Sequence, residues 1–137
     1  MNNADRKMLD TNICIYIIKN RPPSVRERFE TFEIGELCLS SITVSELIYG
    51  AYKSRNPEKN LQALEMFLMP FEIMEYGYDA AQQYGRLRAS LEKRGKVIGG
   101  LDMQIAAHAL SLDMAIVTNN EKEFVRVDGL RVENWAK

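Results

Sequence analysis

Lys7-Met8-Leu9-Asp10-Thr11-Asn12 is the stretch on which the reading of the fold turns. A short apolar run ends on an acid and two small polar residues, and an apolar helix pattern follows. That order predicts the first strand of an α/β sheet, with Asp10 delivered to the sheet's carboxyl edge, where open α/β sheets hold their ligands. Asp also caps helices, so Asp10 taken alone does not separate a functional acid from a cap. Partners have to come from the other strand ends.

Outward from that strand, Ile13, Tyr16, Ile17 and Ile18 have helical spacing until Asn20-Arg21-Pro22-Pro23 stops them. Val25, Phe29 and Phe32 mark a second amphipathic helix that Gly35 ends. Leu37 to Ile42 reads as a second strand, short and apolar as a buried parallel strand should be. Thr43 is expected to open a third helix running to about Ser54. A fourth, around Leu61 to Leu68, is cut off by Pro70. Phe71 to Tyr76 is a third strand, Asp79 to Gly95 a long helix, and Leu101 to Leu112 another. Met114 to Thr118 and Leu130 to Val132 complete the strands. Elements alternate without repeats or linkers, which predicts one doubly wound domain with a mainly parallel sheet of about five strands flanked by helices.

The 137 residues, 46% hydrophobic and 27% charged, suffice for one domain with its own core, spanning 1–137 with residues 1–7 as an extension. Cys14 and Cys38 form no CxxC, so neither a disulfide framework nor a zinc site is indicated and a reducing cytosol fits. No apolar stretch reaches the length of a membrane span or of a signal-peptide core. A net charge of −1 argues against binding nucleic acid through bulk charge; a local patch is required.

Further acids fall beside the other strand ends. Glu46 follows strand two, and Thr43-x-x-Glu46 spells a capping box. Asp102 follows Gly99-Gly100 at the start of a helix, where it can serve as an N-cap. Thr118-Asn119-Asn120-Glu121-Lys122-Glu123 lies just past strand four. Each is ordinary as a cap, but acids at equivalent edges of one parallel sheet converge on one cleft. Two carboxylates about 4 Å apart repel by roughly 4 kcal/mol at an effective dielectric near 20. No Lys or Arg flanks Glu46 or Asp102 in sequence, so a hard divalent cation, Mg²⁺ or Mn²⁺, is the economical counter-charge. Thr11, Asn12, Ser41 and Thr118 stand beside the acids as supports or as turn and cap residues. His108, six residues after Asp102, points about 120° away on one helix and is read as a core or surface histidine.

MLDTN, SSITVSELIYG, GGLDMQIAAHAL and VTNNEKEF, in that order and spacing, resemble the PIN-domain nucleases, and closely the VapC toxins of type II toxin–antitoxin pairs. The resemblance covers essentially the whole chain. It implies a PIN-like fold and a Mg²⁺-dependent endoribonuclease with catalytic Asp10, Glu46 and Asp102, of which Asp10 and Asp102 are metal ligands. Asn120 stands where many members have Asp, and Glu123 is the second candidate for that fourth position. The resemblance also implies a VapB-type antitoxin whose tail occupies the cleft, a homodimer, operator DNA bound only through the antitoxin, and an RNA substrate. For that substrate the anticodon loop of initiator tRNA is the leading candidate by analogy.

Arg86, Arg88, Lys93, Arg94 and Lys96 form a local basic run leading into the loop before Asp102, suited to an RNA backbone if it is more than a solvated helix face. The competing readings are a PIN-fold nuclease with another RNA-processing role, a phosphatase with Asp10 as nucleophile, and a non-catalytic module whose acids are all caps. The haloacid-dehalogenase pattern wants an Asp two residues after Asp10, where this chain has Asn12.

Overall fold

The computed structural model describes residues 5–33 and 35–136. The elements run β1 (Lys7–Leu9), α1 (Thr11–Lys19), α2 (Pro23–Phe29), β2 (Leu37–Ser40), α3 (Ser41–Lys53), α4 (Pro57–Leu68), β3 (Glu72–Met74), α5 (Tyr78–Lys93), α6 (Gly100–Ser111), β4 (Ala115–Val117), α7 (Glu121–Phe124) and β5 (Val132–Glu133). The sheet order is β3-β2-β1-β4-β5, and all four pairings are parallel. Strands are added to one side of β1 as far as β3. The chain then crosses back and lays β4 and β5 on the other side. The carboxyl ends of β1 and β4 therefore flank the topological switch point, where ligand crevices open in sheets of this kind.

The two-residue period of a strand divides the core. Met8, Cys38 and Ile116 share a face and pack with Leu87, Leu91, Met103 and Phe124 from α5, α6 and α7. Leu9, Leu39 and Val117 face the other way, onto Ile13, Ile17, Leu47, Leu64 and Trp135. Both faces are covered, which is why the strands read as unbroken apolar runs rather than as an alternation. Each fully buried Leu or Ile contributes about 1.5–3 kcal/mol, so this two-sided burial holds the strand ends in fixed positions.

Several expected boundaries move. β2 ends at Ser40 and α3 begins at Ser41, because the Ser40 hydroxyl accepts from the Ile42 amide at 3.0 Å and caps the helix. α7 has no counterpart in the sequence pattern; a four-residue helix is too short to show periodicity. Of the extension expected over residues 1–7, Arg6 and Lys7 belong to the fold: Arg6 Nε donates to the Gly35 carbonyl at 2.9 Å and its guanidinium pairs with Glu72, while Lys7 lies in β1. Residues 1–4 lie outside the described residues. Cys14 and Cys38 are buried free thiols. Among the described residues no helix is long and apolar enough to cross a membrane.

Candidate active site

Asp10 emerges from β1 with its amide bonded to the Val117 carbonyl at 2.9 Å, which ties it directly to the carboxyl end of β4. It caps α1, Oδ1 accepting from the Ile13 amide at 2.8 Å. The Thr118 hydroxyl donates to the same carboxylate and accepts from the Asn120 amide at 2.8 Å, so a fully buried hydroxyl uses both its donor and acceptor capacity. Asp10 is only 2% exposed. Burial pushes its carboxyl up to about 6; the Thr118 hydroxyl and the Ile13 and Asn12 amides pull the other way, and the nearby Glu46 charge adds to the rise.

Glu46 is not a capping-box residue. With α3 starting at Ser41, it is the sixth helical residue, well beyond any cap position, and Thr43 is buried within the helix. Its Oε1 instead accepts from the Thr11 hydroxyl at 2.6 Å, holding a carboxylate from α3 against the start of α1. Asp102 is likewise displaced from the cap expected of it. The N-cap of α6 is Gly99, without a side-chain cap bond, and Asp102 sits at the third helical position.

Burial pushes the Asp102 carboxyl up to about 7, aided by a hydrogen bond and charge from Glu123 and by the charges of Asp10 and Glu46. The four acids from β1, α3, α6 and α7 thus feel one another. Asn120 does not compete with Glu123 for a place: its Nδ2 donates to Glu123 Oε2 at 2.8 Å, aiming that carboxylate toward Asp102. Of these acids only Asp10 caps a helix. The reading in which all are caps therefore fails.

The expected supports divide. Thr11 and Thr118 hold Glu46 and Asp10 with their side chains. Asn12 contributes its backbone amide, and its side chain is exposed. Ser41 serves elsewhere, accepting from the Tyr76 amide at 3.1 Å and tying α3 to the segment after β3. Sequence reading missed Tyr16, whose hydroxyl accepts from Asn119 Nδ2 at 2.8 Å beside the cluster; an apolar helical position gives no sign of that role.

Arg86, Lys93 and Lys96 are exposed on α5 and the loop after it. Arg88 is engaged by Glu92 at 3.2 Å and by the Tyr84 hydroxyl at 2.6 Å. Arg94 donates to the Arg126 carbonyl and Arg126 to the Val97 carbonyl, each at 3.1 Å, so these two arginines pin the loop that leads into Asp102.

The donor set is all oxygen, partly buried and mutually repelling, which is the chemistry a hard divalent cation answers. Among the described residues no three or more acids, histidines or cysteines are grouped so as to hold a metal ion between them. Mg²⁺ does not need three, since it is held by one or two carboxylates with water completing its shell. Asp10 and Asp102, both raised, fit that part.

The PIN domain family model matches residues 7–130. The tRNA(fMet)-specific endonuclease VapC of Shigella flexneri is 51% identical over 94% of this chain and 97% of its own length. Ribonuclease VapC2 of Haemophilus influenzae is 50% identical over the same shares. Among solved structures, DNA-bound VapBC from Salmonella typhimurium superposes with a TM-score of 0.89 at 47% identity, covering 95% of this chain and 98% of that one. VapBC2 from Rickettsia felis, bound to a promoter DNA fragment, gives 0.88 at 41% identity, with 94% and 98% covered.

Proposed function

The chain belongs to the PIN-domain family, and within it to the VapC ribonucleases; from that premise we propose that it is the toxin of a type II toxin–antitoxin pair, a Mg²⁺-dependent endoribonuclease. The observation that carries the reading is the convergence of Asp10, Glu46, Asp102 and Glu123, each from a different element, with Asp102 raised by burial and then by the other three. Asp10 and Asp102 hold the cation, for which Mn²⁺ can substitute. When bound, the ion supplies Lewis acidity toward a phosphate oxygen and lowers the pKa of a water in its shell. Glu46, oriented by Thr11, accepts the proton of the attacking water, and Glu123, oriented by Asn120, keeps Asp102 in register. Arg86, Lys93 and Lys96 neutralise backbone phosphates of the RNA on its approach along the end of α5.

The substrate is the anticodon region of initiator tRNA, the tRNA named for the Shigella relative. The partner is a VapB-type antitoxin, as in the VapBC structures that this fold matches, and it carries operator DNA binding for the pair. Its tail has a place to lie: a groove of about 470 Å³ between α1, α3 and α4, lined by Ile15, Ile18, Leu47, Ala51 and Leu64, runs up to Glu46. An apolar segment seated there with its end at Glu46 blocks the acid cleft. Such a toxin acts in the cytoplasm, where its free thiols stay reduced.

The test is cleavage of purified tRNAs by the antitoxin-free protein, with fragment ends sequenced. Cleavage should appear with Mg²⁺ or Mn²⁺, vanish in excess EDTA, and fall at one position in initiator tRNA. Undiminished cleavage in EDTA sinks the metal reading, and cuts scattered over all tRNAs sink the substrate reading.

A further inference from the structure

Ser40 caps α3, the helix that carries Glu46, and His108 lies on α6, the helix that carries Asp102. Both are buried, His108 to 1% exposure, and His108 Nδ1 lies 2.8 Å from Ser40 Oγ. Burial lowers the affinity of the ring for a second proton, against a smaller opposing effect of the Glu75 backbone, which favours a neutral ring with one acceptor nitrogen.

Ile42 N–H donates to Ser40 Oγ, and Ser40 Oγ and His108 Nδ1 share a hydrogen bond, so the cap of α3 is joined to the ring on α6. Tyr76 packs edge-on against the ring at 5.5 Å between centroids. A satisfied polar chain of this kind gives a buried contact one geometry, where two apolar side chains would tolerate several.

Its position matters because of the two helices it joins. Glu46 is six residues after Ser40, and Asp102 is six residues before His108. At 1.5 Å per residue, each acid lies at the end of an arm about 9 Å long measured from the Ser40–His108 bond. A rotation of about 6° at that pivot moves one carboxylate by about 1 Å against the other over such an arm. We infer that His108 is a positioning residue which, through Ser40, sets the separation of Glu46 and Asp102. The inference rests on the nuclease reading of the cleft and adds a residue that does not touch substrate.

The test compares His108→Asn with His108→Gln. Asparagine places a polar atom where Nδ1 lies and keeps the Ser40 bond; glutamine places its amide where Nε2 lies and loses it. Both lose the ring and should melt lower to a similar extent. With initiator tRNA and Mg²⁺, His108→Gln should lose roughly ten- to a hundredfold in kcat and His108→Asn less than about threefold, since a 1 Å misplacement is worth up to about a hundredfold. KM should hold in both. Ser40→Ala, a smaller change that folds if Gln does not, should behave like His108→Gln. Crystal structures should show the Glu46–Asp102 separation altered in His108→Gln and retained in His108→Asn. Equal kcat in the two variants, or an unaltered separation in His108→Gln, overturns the inference. A wild-type protein that fails to cleave RNA with either metal overturns the nuclease reading instead, and the crystallographic separation then decides the inference by itself.

Discussion

Replacing Asp10 with Asn should inactivate the protein and, in the absence of metal, make it more stable. Asp10 is 2% exposed and its carboxyl is pushed from 3.8 to about 6. At 1.36 kcal/mol per unit, that rise is a penalty of about 3 kcal/mol for holding the ionised acid in the folded chain. The sign follows from linkage: a folded-state pKa above the unfolded value gives stability that is present below 3.8 and is lost as pH rises through about 6. Asparagine keeps the acceptor for the Ile13 amide, so the cap on α1 survives while the penalty disappears, and the second acceptor oxygen that it lacks toward Thr118 takes back part of the gain. With an unfolding entropy of about 2.1 cal/mol/K per residue, a gain of about 1–3 kcal/mol corresponds to roughly 4–10 °C in a domain of this size. The assay is thermal unfolding of both proteins in EDTA at pH 8 and pH 4.5. The variant should melt higher at pH 8, and at pH 4.5 only about a third of the gap should remain. Saturating Mg²⁺ should raise the wild type and leave the variant nearly unmoved. A variant that melts below the wild type at pH 8, or a gap as wide at pH 4.5, refutes the argument.

Glu46→Gln should abolish cleavage with the melting temperature unchanged within about 2 °C, because Glu46 caps nothing; retained cleavage removes Glu46 from the reaction. Glu123→Gln should cost more turnover than Asn120→Ala, since the first removes a carboxylate from the cluster and the second only its orienting donor; single-turnover rates decide the order. Reversing Arg86, Lys93 and Lys96 to Glu should weaken RNA binding and reduce the slope of log affinity against log salt by about 2, at roughly 0.7 for each phosphate no longer neutralised. Including Arg94 should add a loss of stability, because it holds the loop before Asp102; an unchanged salt slope means the RNA takes another path.

The parallel sheet is legible in the sequence because its strands are buried on both faces and interrupted by helix patterns of a different period, a contrast that survives errors of two residues at each boundary. The acids are legible as strand-end residues. Their local roles are not. Moving the start of α3 from Thr43 to Ser41 converts Glu46 from a cap into a cleft residue, and the capping signal that decides it, Ser40, sits inside an apolar run ending in two serines. Glu123 comes within reach only through α7, too short to announce itself. The basic run looks uniform in sequence, yet Arg88 and Arg94 make ion pairs and loop contacts, and the partners of Arg94 are residues that only the fold brings near.

Because β1 lies between β2 and β4, the first acid of the cluster waits for the last quarter of the chain. Asp10 leaves the ribosome early, but its amide partner Val117, its hydroxyl donor Thr118 and the carboxylate of Glu123 are all synthesised more than a hundred residues later. At about 5–20 residues per second, that interval lasts roughly 5–20 s. A chain broken before β4 holds Asp10, Glu46 and Asp102 but lacks Val117, Thr118 and Glu123. The acidic centre is thus completed only when translation is nearly finished, although three of its four carboxylates have been made by then.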